Sequence, residues 1–279
     1  MRVFLTTLTV TFAALSSAYA VEFTPAERLK LQPSAMEGPS LDTMGLRPGM
    51  DLKDSLKAIE AEFDQNDKNQ QYKTKTESFS LKSKGVEINT TQFVSGVYIL
   101  STWYLPPGTP SPDKISGISL QFSSPASGNK LMSIARDIYY KDPNRAPTKD
   151  QIHKMLIDKY GKPSLEEWNE GIKTIAFARS SGRYVKCENL LDCTVALPQY
   201  ELSNYQGGGF SVGNKADYLL RISIDRNNYD MSGTKVGAIH IKLFDKTVAD
   251  RAAQADIAAL VEKANEVAAT APAVALPKF

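Results

Sequence analysis

His240 is the residue of this chain around which acid–base chemistry could most readily be built. It lies between two isoleucines in an alternating stretch, so its side chain is expected on the opposite face of a strand from theirs. Arg221, Ser223 and Asp225 alternate in the same way on the preceding predicted strand and are expected on that face with it. A His240–Asp225 pair would suit an unrecognised hydrolase. The alternative interpretation is a solvated sheet face.

Other signs of catalysis or cofactor binding are weak. The second histidine, His153, lies beside the apolar stripe of a predicted helix, and two histidines are too few for a multi-histidine metal site. No G-x-S-x-G nucleophile motif occurs. The stretch GGGFSVG departs from the dinucleotide-binding pattern, and the run after Asp64 lacks the glycine and closing glutamate of a calcium loop. We therefore expect no cofactor and no metal, and we assign no catalytic residue.

One arginine breaks the apolar pattern of its own strand. In MSIARDIYY, Arg136 alternates with Met132, Ile134 and Ile138, so its side chain is expected to point toward a core. A guanidinium in that position needs a carboxylate partner or an exit at the end of the sheet. The second interpretation is an arginine that binds an anion in a groove.

The stretch VSGVYILSTWYL is apolar on both faces of its predicted strand. Tyr98 and Tyr104 share one face, and Trp103 lies on the other. Coverage from both sides would explain this pattern, and an exposed aromatic patch for a partner protein is the alternative. The candidate binding residues are accordingly Tyr98, Trp103, Tyr104, Arg136, Arg221 and His240.

The chain has two cysteines, Cys187 and Cys193, within KCENLLDCT. An isolated pair in an exported protein predicts a disulfide bond. Closing so small a loop stabilises a fold by roughly 2–3 kcal/mol on the chain-entropy model. A redox or metal pair is the other interpretation, but the C-x-x-C spacing and a nearby histidine are both missing.

The first 20 residues have the pattern of a secretory leader. A basic residue precedes an apolar run that ends in Ala18-Tyr19-Ala20, an A-x-A cleavage pattern. No cysteine follows this point directly, so the acylation residue of a bacterial lipoprotein is missing. We expect a periplasmic or secreted protein with a cleaved signal peptide.

Charge and hydropathy give no indication of nucleic-acid binding or of a membrane-spanning helix. The 33 basic and 31 acidic residues nearly cancel, which gives no electrostatic basis for binding nucleic acid. No later segment approaches the roughly 18 consecutive apolar residues that a spanning helix needs. A protein or a cell-envelope component is the expected partner, and the sequence does not indicate an oligomeric state.

The candidate residues must be positioned by predicted elements that follow the same order twice. Asp51 is predicted to cap an amphipathic helix, and Thr148 to cap a second one that ends at Gly161 and Pro163. Strand-like stretches follow each helix. After the first helix they lie near 74–83, 94–105, 115–123 and 131–140, and after the second near 173–179, 183–187, 220–224 and 239–243. A further helix is predicted from about Thr247.

The predicted fold class is α+β, with two tandem helix-plus-antiparallel-sheet units of about four strands each and a C-terminal helix. An amphipathic helix of three or four turns is marginal alone, so each leading helix is expected to lie across one face of a sheet. The predicted division is a signal peptide (1–20), an N-terminal extended segment (21–48), the two units (49–145 and 146–246), the C-terminal helix (247–268) and a flexible tail (269–279).

Two short stretches resemble a known family. GLRPGMDLKDSLKAI is similar to the Gly-Met-(Thr/Ser)-x-x-(Glu/Gln)-Val helix start of small SmpA/OmlA-type periplasmic domains, and IHKMLIDKYGKP resembles their helix-to-Gly-x-Pro ending. Together they resemble uncharacterised exported proteobacterial proteins. The family includes a lipoprotein of the outer-membrane β-barrel assembly machine, and its fold is related to that of β-lactamase inhibitor proteins. Asp51 replaces the usual hydroxyl residue and the lipid-anchor cysteine is missing, so the resemblance implies the fold and not the assembly role.

These observations favour a non-catalytic binding module that contacts a protein or a cell-envelope component through a sheet face. The alternatives are a hydrolase with an Asp225/His240 site and a secreted inhibitor of a foreign enzyme. An aromatic-lined sheet without a pocket would favour binding, whereas a deep cleft in which His240 and a carboxylate converge would favour the enzyme.

We predict that the mature chain begins at Val21, because the A-x-A pattern ends at Ala20. N-terminal sequencing or the intact mass of the exported protein measures this directly. A leader still attached to the exported chain would contradict the prediction.

Overall fold

The structure is a computed structural model that describes residues 18–21, 37–60, 63, 70–78, 80–83, 86–101, 114–193 and 215–270. Its helices are α1 (Leu52–Ile59), α2 (Lys149–Tyr160), α3 (Leu190–Cys193) and α4 (Lys246–Thr270). Its strands are β1 (Ala18–Val21), β2 (Gln70–Glu77), β3 (Ser80–Ser83), β4 (Val86–Thr90), β5 (Phe93–Ser101), β6 (Lys114–Phe122), β7 (Leu131–Tyr140), β8 (Leu165–Asn169), β9 (Ile172–Ser180), β10 (Arg183–Tyr184), β11 (Tyr218–Arg226) and β12 (Val236–Asp245).

Nine of these strands form one sheet, in which all the strand pairs are antiparallel. The order is β10-β9-β11-β12-β7-β6-β5-β2, and β8 also pairs with β9. The pairing of β7 with β12 therefore joins strands from the two predicted units in the middle of the sheet. The predicted α+β class with a mainly antiparallel sheet and a C-terminal helix is confirmed.

A second, three-stranded sheet has the order β1-β4-β3, with β1 parallel to β4. The sequence pattern predicted one long strand near 74–83, but the chain divides there into β2 and β3, and β3 leaves the large sheet to pair with β4. Strand β1 spans the predicted cleavage point, so cleavage after Ala20 would leave only Val21 of this strand.

Helices α1 and α2 pack on one face of the large sheet, here called the helix face. Thr148 begins α2 with a capping box, in which its hydroxyl accepts from the Gln151 amide and the Gln151 side chain accepts from the Thr148 amide. Gly161 ends the helix with φ +79°, a conformation that glycine adopts without strain. Buried Ile152, Leu156 and Tyr160 recur every four residues and meet isoleucines of the sheet, as the helical periodicity predicts.

Helix α1 differs from the expectation at its N-cap. Asp51 occupies the N-cap position, but its side chain makes no capping hydrogen bond. Its carboxylate instead forms an ion pair with Lys130, the residue that precedes β7. A long-range partner has replaced the local one that the sequence suggested.

The segment before α1 is part of the core. Leu41 and Leu46 are fully buried in the helix-face cluster. The hydroxyl of Tyr160 donates to the Asp42 carbonyl at 2.6 Å, and that of Tyr218 donates to the Leu41 carbonyl at 2.7 Å. Residues 41–46, which fall within the predicted N-terminal extended segment, are thus fixed on the sheet by buried contacts.

Part of the opposite sheet face is covered by the start of α4 and by the loop that Cys187 and Cys193 close, here called the cysteine loop. Asp245 caps α4 by accepting hydrogen bonds from the amides of Thr247 and Val248 at 2.8 and 3.1 Å. Buried residues of this second cluster include Met132, Ala176, Leu219, Phe244, Val248, Ala252 and the bonded pair Cys187–Cys193, whose Cα atoms lie 5.5 Å apart. The prediction that these two cysteines bond is confirmed.

Met132 therefore lies on the opposite face from the one we predicted. Strict alternation placed it with Ile134 and Ile138, but those two residues pack in the helix-face cluster and Met132 does not. The register of β6 with β7 shifts between Gln121 and Phe122, and such a bulge reverses the facing of the residues beyond it.

Within the described ranges, no helix is long and apolar enough to cross a membrane.

We predict that Leu156→Ala lowers the free energy of unfolding by about 2–5 kcal/mol, because it empties part of a buried cluster beneath α2. Leu56 on α1 is only partly buried, so Leu56→Ala should cost less. Denaturant midpoints measure both changes.

The matched control is Lys154→Ala on α2, whose ammonium forms only an exposed pair with Asp158 and whose loss should change stability by no more than roughly 0.5 kcal/mol. A cost at Leu156 as small as that at Lys154 would show that α2 does not cover the sheet.

Candidate functional site

The sheet face opposite α1 and α2 is here called the histidine face. Antiparallel register places Ser223 of β11, His240 of β12 and Asp137 of β7 side by side across three strands. The same row continues through Gly117 of β6 to Leu100 of β5. Directly opposed side chains have Cβ atoms about 4.5–5.5 Å apart, so this register alone brings the polar groups into contact.

His240 lies between two carboxylates. Its Nδ1 atom is 2.6 Å from Oδ1 of Asp137, and its Nε2 atom is 3.5 Å from Oδ2 of Asp225. The hydrogen bond to Asp137 is the main cause that raises the pKa of His240, against the opposing effect of burial, and Asp225 adds to the rise. Tyr139 contacts the imidazole edge-on, with ring centroids 5.7 Å apart. The site therefore favours the protonated, doubly donating imidazolium.

Two cations occupy the next row of the same face. Arg221 and Lys242 are directly paired in register across β11 and β12. Burial lowers the pKa of both groups; at Lys242 the neighbouring charge of Arg221 lowers it further, while Asp137 opposes the change. The centre of the histidine face thus contains closely spaced positive and negative groups.

Exposed apolar side chains flank this charged centre. Leu100 is 51 % exposed, Ile172 39 % and Tyr139 38 %. A Cβ added at Gly117 would lie 3.1 Å from Cδ2 of Leu100, so glycine lets the leucine side chain lie over the neighbouring strand. A Cβ added at Gly96 would similarly lie 3.0 Å from the Tyr98 ring. These two glycines allow apolar groups to lie flat on the sheet.

The structure separates the predicted binding residues into two groups. Tyr98, Arg221 and His240 lie on the histidine face, and Asp225 contacts His240 from the neighbouring strand. Arg136 lies on the helix face, directly opposite Ile241 in the ladder, where it lines a cavity under α2. Trp103 and Tyr104 fall outside the described residues.

Sequence reasoning missed three members of this face, namely Asp137, Tyr139 and Leu100. Asp137 is the closest partner of His240, and its alternation with Ile138 already implied that it points away from the core. The missing information was the pairing of β7 with β12, which joins residues about a hundred positions apart. The hydrophobic periodicity of the sequence does not specify which distant strands pair with each other.

The geometry bears on the chemistry that the face can perform. A general base needs a nitrogen lone pair directed at the substrate, whereas both ring nitrogens of His240 face carboxylates. The nearest hydroxyl in its row, Ser223, lies 3.4 Å from the hydroxyl of Thr174. In the described part of the chain, no group of three or more His, Cys, Asp or Glu side chains is placed to hold a metal ion.

Comparison of the chain with protein-family models, with curated proteins and with solved structures finds no match. The assignment of a function therefore depends on the geometry of the two sheet faces.

We predict that His240 titrates above the ordinary histidine pKa of about 6.5, because protonation lets it donate to both carboxylates. Asp137→Asn should lower this pKa more than Asp225→Asn, since Asp137 forms the shorter contact. NMR titration of the imidazole resonances measures all three values. Equal effects of the two substitutions would contradict the assigned geometry.

The sign of the pH dependence follows from the same shift. Because the folded-state pKa is raised, the stabilisation from His240 is fully present below the unfolded pKa, near 6.5, and is lost as pH rises through the folded value. His240→Gln should therefore reduce stability more at pH 5.5 than at pH 9.

Proposed function

We propose that this chain is a non-catalytic, exported binding module whose histidine face contacts a protein or a cell-envelope component. The observation that carries the proposal is the combination, on one sheet face, of exposed Leu100, Tyr139 and Ile172 with a central cluster of charged groups. Exposed apolar and aromatic side chains that lie together with polar groups mark interaction sites on protein surfaces.

The dimensions of the face agree with a macromolecular partner. Leu100 on β5 and Ile172 on β9 are separated by five strand spacings, which corresponds to about 24 Å at roughly 4.8 Å per strand. Between them, neighbouring rows of β7, β12 and β11 offer both signs of charge, so a partner of complementary pattern would be oriented as well as bound. A foreign enzyme held by a secreted inhibitor is one partner of this kind.

The hydrolase alternative has one observation in its favour, the approach of Asp225 to His240. Two features weigh against it. The imidazole is held between carboxylates, which leaves no ring nitrogen for a nucleophile. The cavity under α2 lies on the opposite face, where Ile239 and Ile241 line it.

The tandem arrangement is also part of the proposal. The strands of the large sheet that follow α1 lie in the order β7-β6-β5-β2. Those that follow α2 lie in the order β12-β11-β9-β10, with β8 also paired to β9, and β7 and β12 are adjacent at the centre. In chain order, the first series ends at β7 and the second at β12, the two strands that meet at the centre of the sheet. Both leading helices lie on the helix face. This symmetry of order supports two structurally repeated units.

Export to the periplasm or the extracellular space is supported by the Cys187–Cys193 bond, since structural disulfides persist in oxidising compartments. The leader pattern of residues 1–20 supports the same localisation.

We predict that a photo-crosslinking residue placed at Tyr139 or at Ile172 captures the same partner in the native envelope, because both positions lie on the histidine face. Leu100→Glu should reduce the yield at least about tenfold, equivalent to ~1.4 kcal/mol of binding free energy, since it places a charge in the apolar flank. Quantitative mass spectrometry of the adducts measures the yield.

The control is the exposed residue Met231, in the turn between β11 and β12. A crosslinker there should not capture this partner, and Met231→Glu should leave the Tyr139 adduct unchanged. Adducts that form equally from position 231, or that survive Leu100→Glu, would exclude the histidine face as the binding surface.

A further inference from the structure

One buried charge of the large sheet has no part in the proposed function. Arg179 lies near the end of β9, and it is only 4 % exposed. Antiparallel register places it opposite Tyr218 of β11, which packs in the helix-face cluster. Arg179 therefore lies on the helix face, on the other side of the sheet from His240.

The guanidinium of Arg179 uses few of its N–H donors. Its Nη1 atom donates to the Ala178 carbonyl at 3.1 Å, whereas Nε is buried and has no hydrogen-bond partner. In any guanidinium, the Nε–H group and one N–H group of Nη2 point in the same direction along one edge. Two parallel donors of this kind can hold both oxygens of a carboxylate. The edge of Arg179 that contains Nε is therefore available for such a contact.

No carboxylate of the described residues balances the charge of Arg179. Two acidic side chains lie in the same part of the fold, and both have other partners. Glu37 pairs with the exposed Arg183 at 3.6 Å, and Asp217 accepts from the Ser181 amide at 2.7 Å. By alternation along its strand, Asp217 also points to the opposite face of the sheet. Burial lowers the pKa of Arg179, the direction expected for a cation that lacks a counter-charge.

The surroundings of this edge combine a glycine and an aromatic ring. Gly38 has φ +84°, and a Cβ added there would lie 4.0 Å from Nη2 of Arg179. Glycine thus keeps a side chain out of the space beside the guanidinium. The Tyr184 ring lies 5.8 Å from the guanidinium carbon, is 40 % exposed, and is held by a hydrogen bond from its hydroxyl to the Pro163 carbonyl. Arg179 therefore lies one side chain below the surface.

We propose that Arg179 anchors a carboxylate-binding site, in which both oxygens of a ligand carboxylate accept from Nε and Nη2 beside Gly38. A buried cation without a partner is costly to the free protein, and the ligand supplies the missing partner. A monoanionic carboxylate neutralises one guanidinium. A phosphate dianion would instead bring an unbalanced negative charge into the buried site, so the charge of the site favours the carboxylate.

Acetate is the probe ligand, and acetamide has the same shape without the charge. NMR titration of the full chain at constant ionic strength, followed at the Nε–H resonance of Arg179, measures the dissociation constants. We expect acetate to move this resonance downfield and to bind at least about tenfold more tightly than acetamide, chloride or phosphate. The comparison uses the wild-type chain, so it is independent of any effect of mutation on folding.

Arg179→Met then tests the residue, because it removes the charge and keeps the length of the side chain. In chloride buffer its melting temperature should lie within about 2 °C of the wild-type value or above it, since an apolar group replaces an unpaired buried cation. Acetate at ten times its dissociation constant should raise the wild-type melting temperature by about 2–5 °C and leave that of Arg179→Met unchanged.

Two further variants separate charge from geometry. Arg179→Lys keeps the charge but lacks the parallel donors, so it should weaken acetate binding at least about fivefold. Arg226→Met is the matched control, because it removes an exposed arginine at the opposite end of β11 from Tyr218. It should bind acetate as the wild type does.

The same titration distinguishes two sources of the carboxylate. N-acetyl-alanyl-alanine presents the carboxylate of a peptide end, and its C-terminal amide is the neutral control. Tighter binding of this peptide than of acetate would assign the site to a chain terminus. Equal or weaker binding would assign it to a small free carboxylate.

Four results would overturn the proposal. They are equal binding of acetate and acetamide, acetate-dependent stabilisation that persists in Arg179→Met, wild-type acetate affinity in Arg179→Lys, and a fall of more than about 2 °C in the melting temperature of Arg179→Met in chloride, which would show a structural role. Failure of the crosslinking experiment on the histidine face would leave this site unaffected, because the two lie on opposite sides of the sheet.

Discussion

The pairing of β7 with β12 is the interaction on which both faces of the large sheet depend. It runs through seven residue pairs, from Tyr139–Ala238 to Ser133–Phe244, and it joins strands that follow α1 to strands that follow α2. The same register sets Asp137 opposite His240 on one face and Arg136 opposite Ile241 on the other. A slip of one residue would exchange the faces of every side chain on one strand. It would break the His240 contacts and move the arginine out of the cavity at once.

Side chains alternate between the two faces along each strand, so the same strands give the two faces different properties. On the helix face, α1, α2 and residues 41–46 bury an apolar cluster, and Arg136 lines a cavity beneath α2. Among the described residues, α4 and the loop closed by Cys187 and Cys193 cover one end of the histidine face, and the side chains of His240 and Asp137 are partly exposed. The two faces therefore differ in both their cover and their charge.

Local signals in the sequence predicted the elements that local interactions determine. The cap at Thr148, the glycine at 161 and the alternation in β11 and β12 were each readable within a few residues, and each is present. The errors concern long-range partners. The ion pair of Asp51 with Lys130 replaces a local cap, and a register shift turns Met132 to the other face. The contact between Asp137 and His240 was missed for the same reason, since only the folded sheet brings them together.

The central strands keep the charges of the two faces apart. Arg136 and Asp137 are adjacent in the chain but point to opposite faces of β7, which pairs with β6 on one side and β12 on the other. Strands bonded on both sides and packed against buried residues belong to the most stable part of a fold. The position of Arg136 on the helix face and that of Asp137 beside His240 are therefore fixed together, because exchanging their faces would require both neighbouring ladders to break.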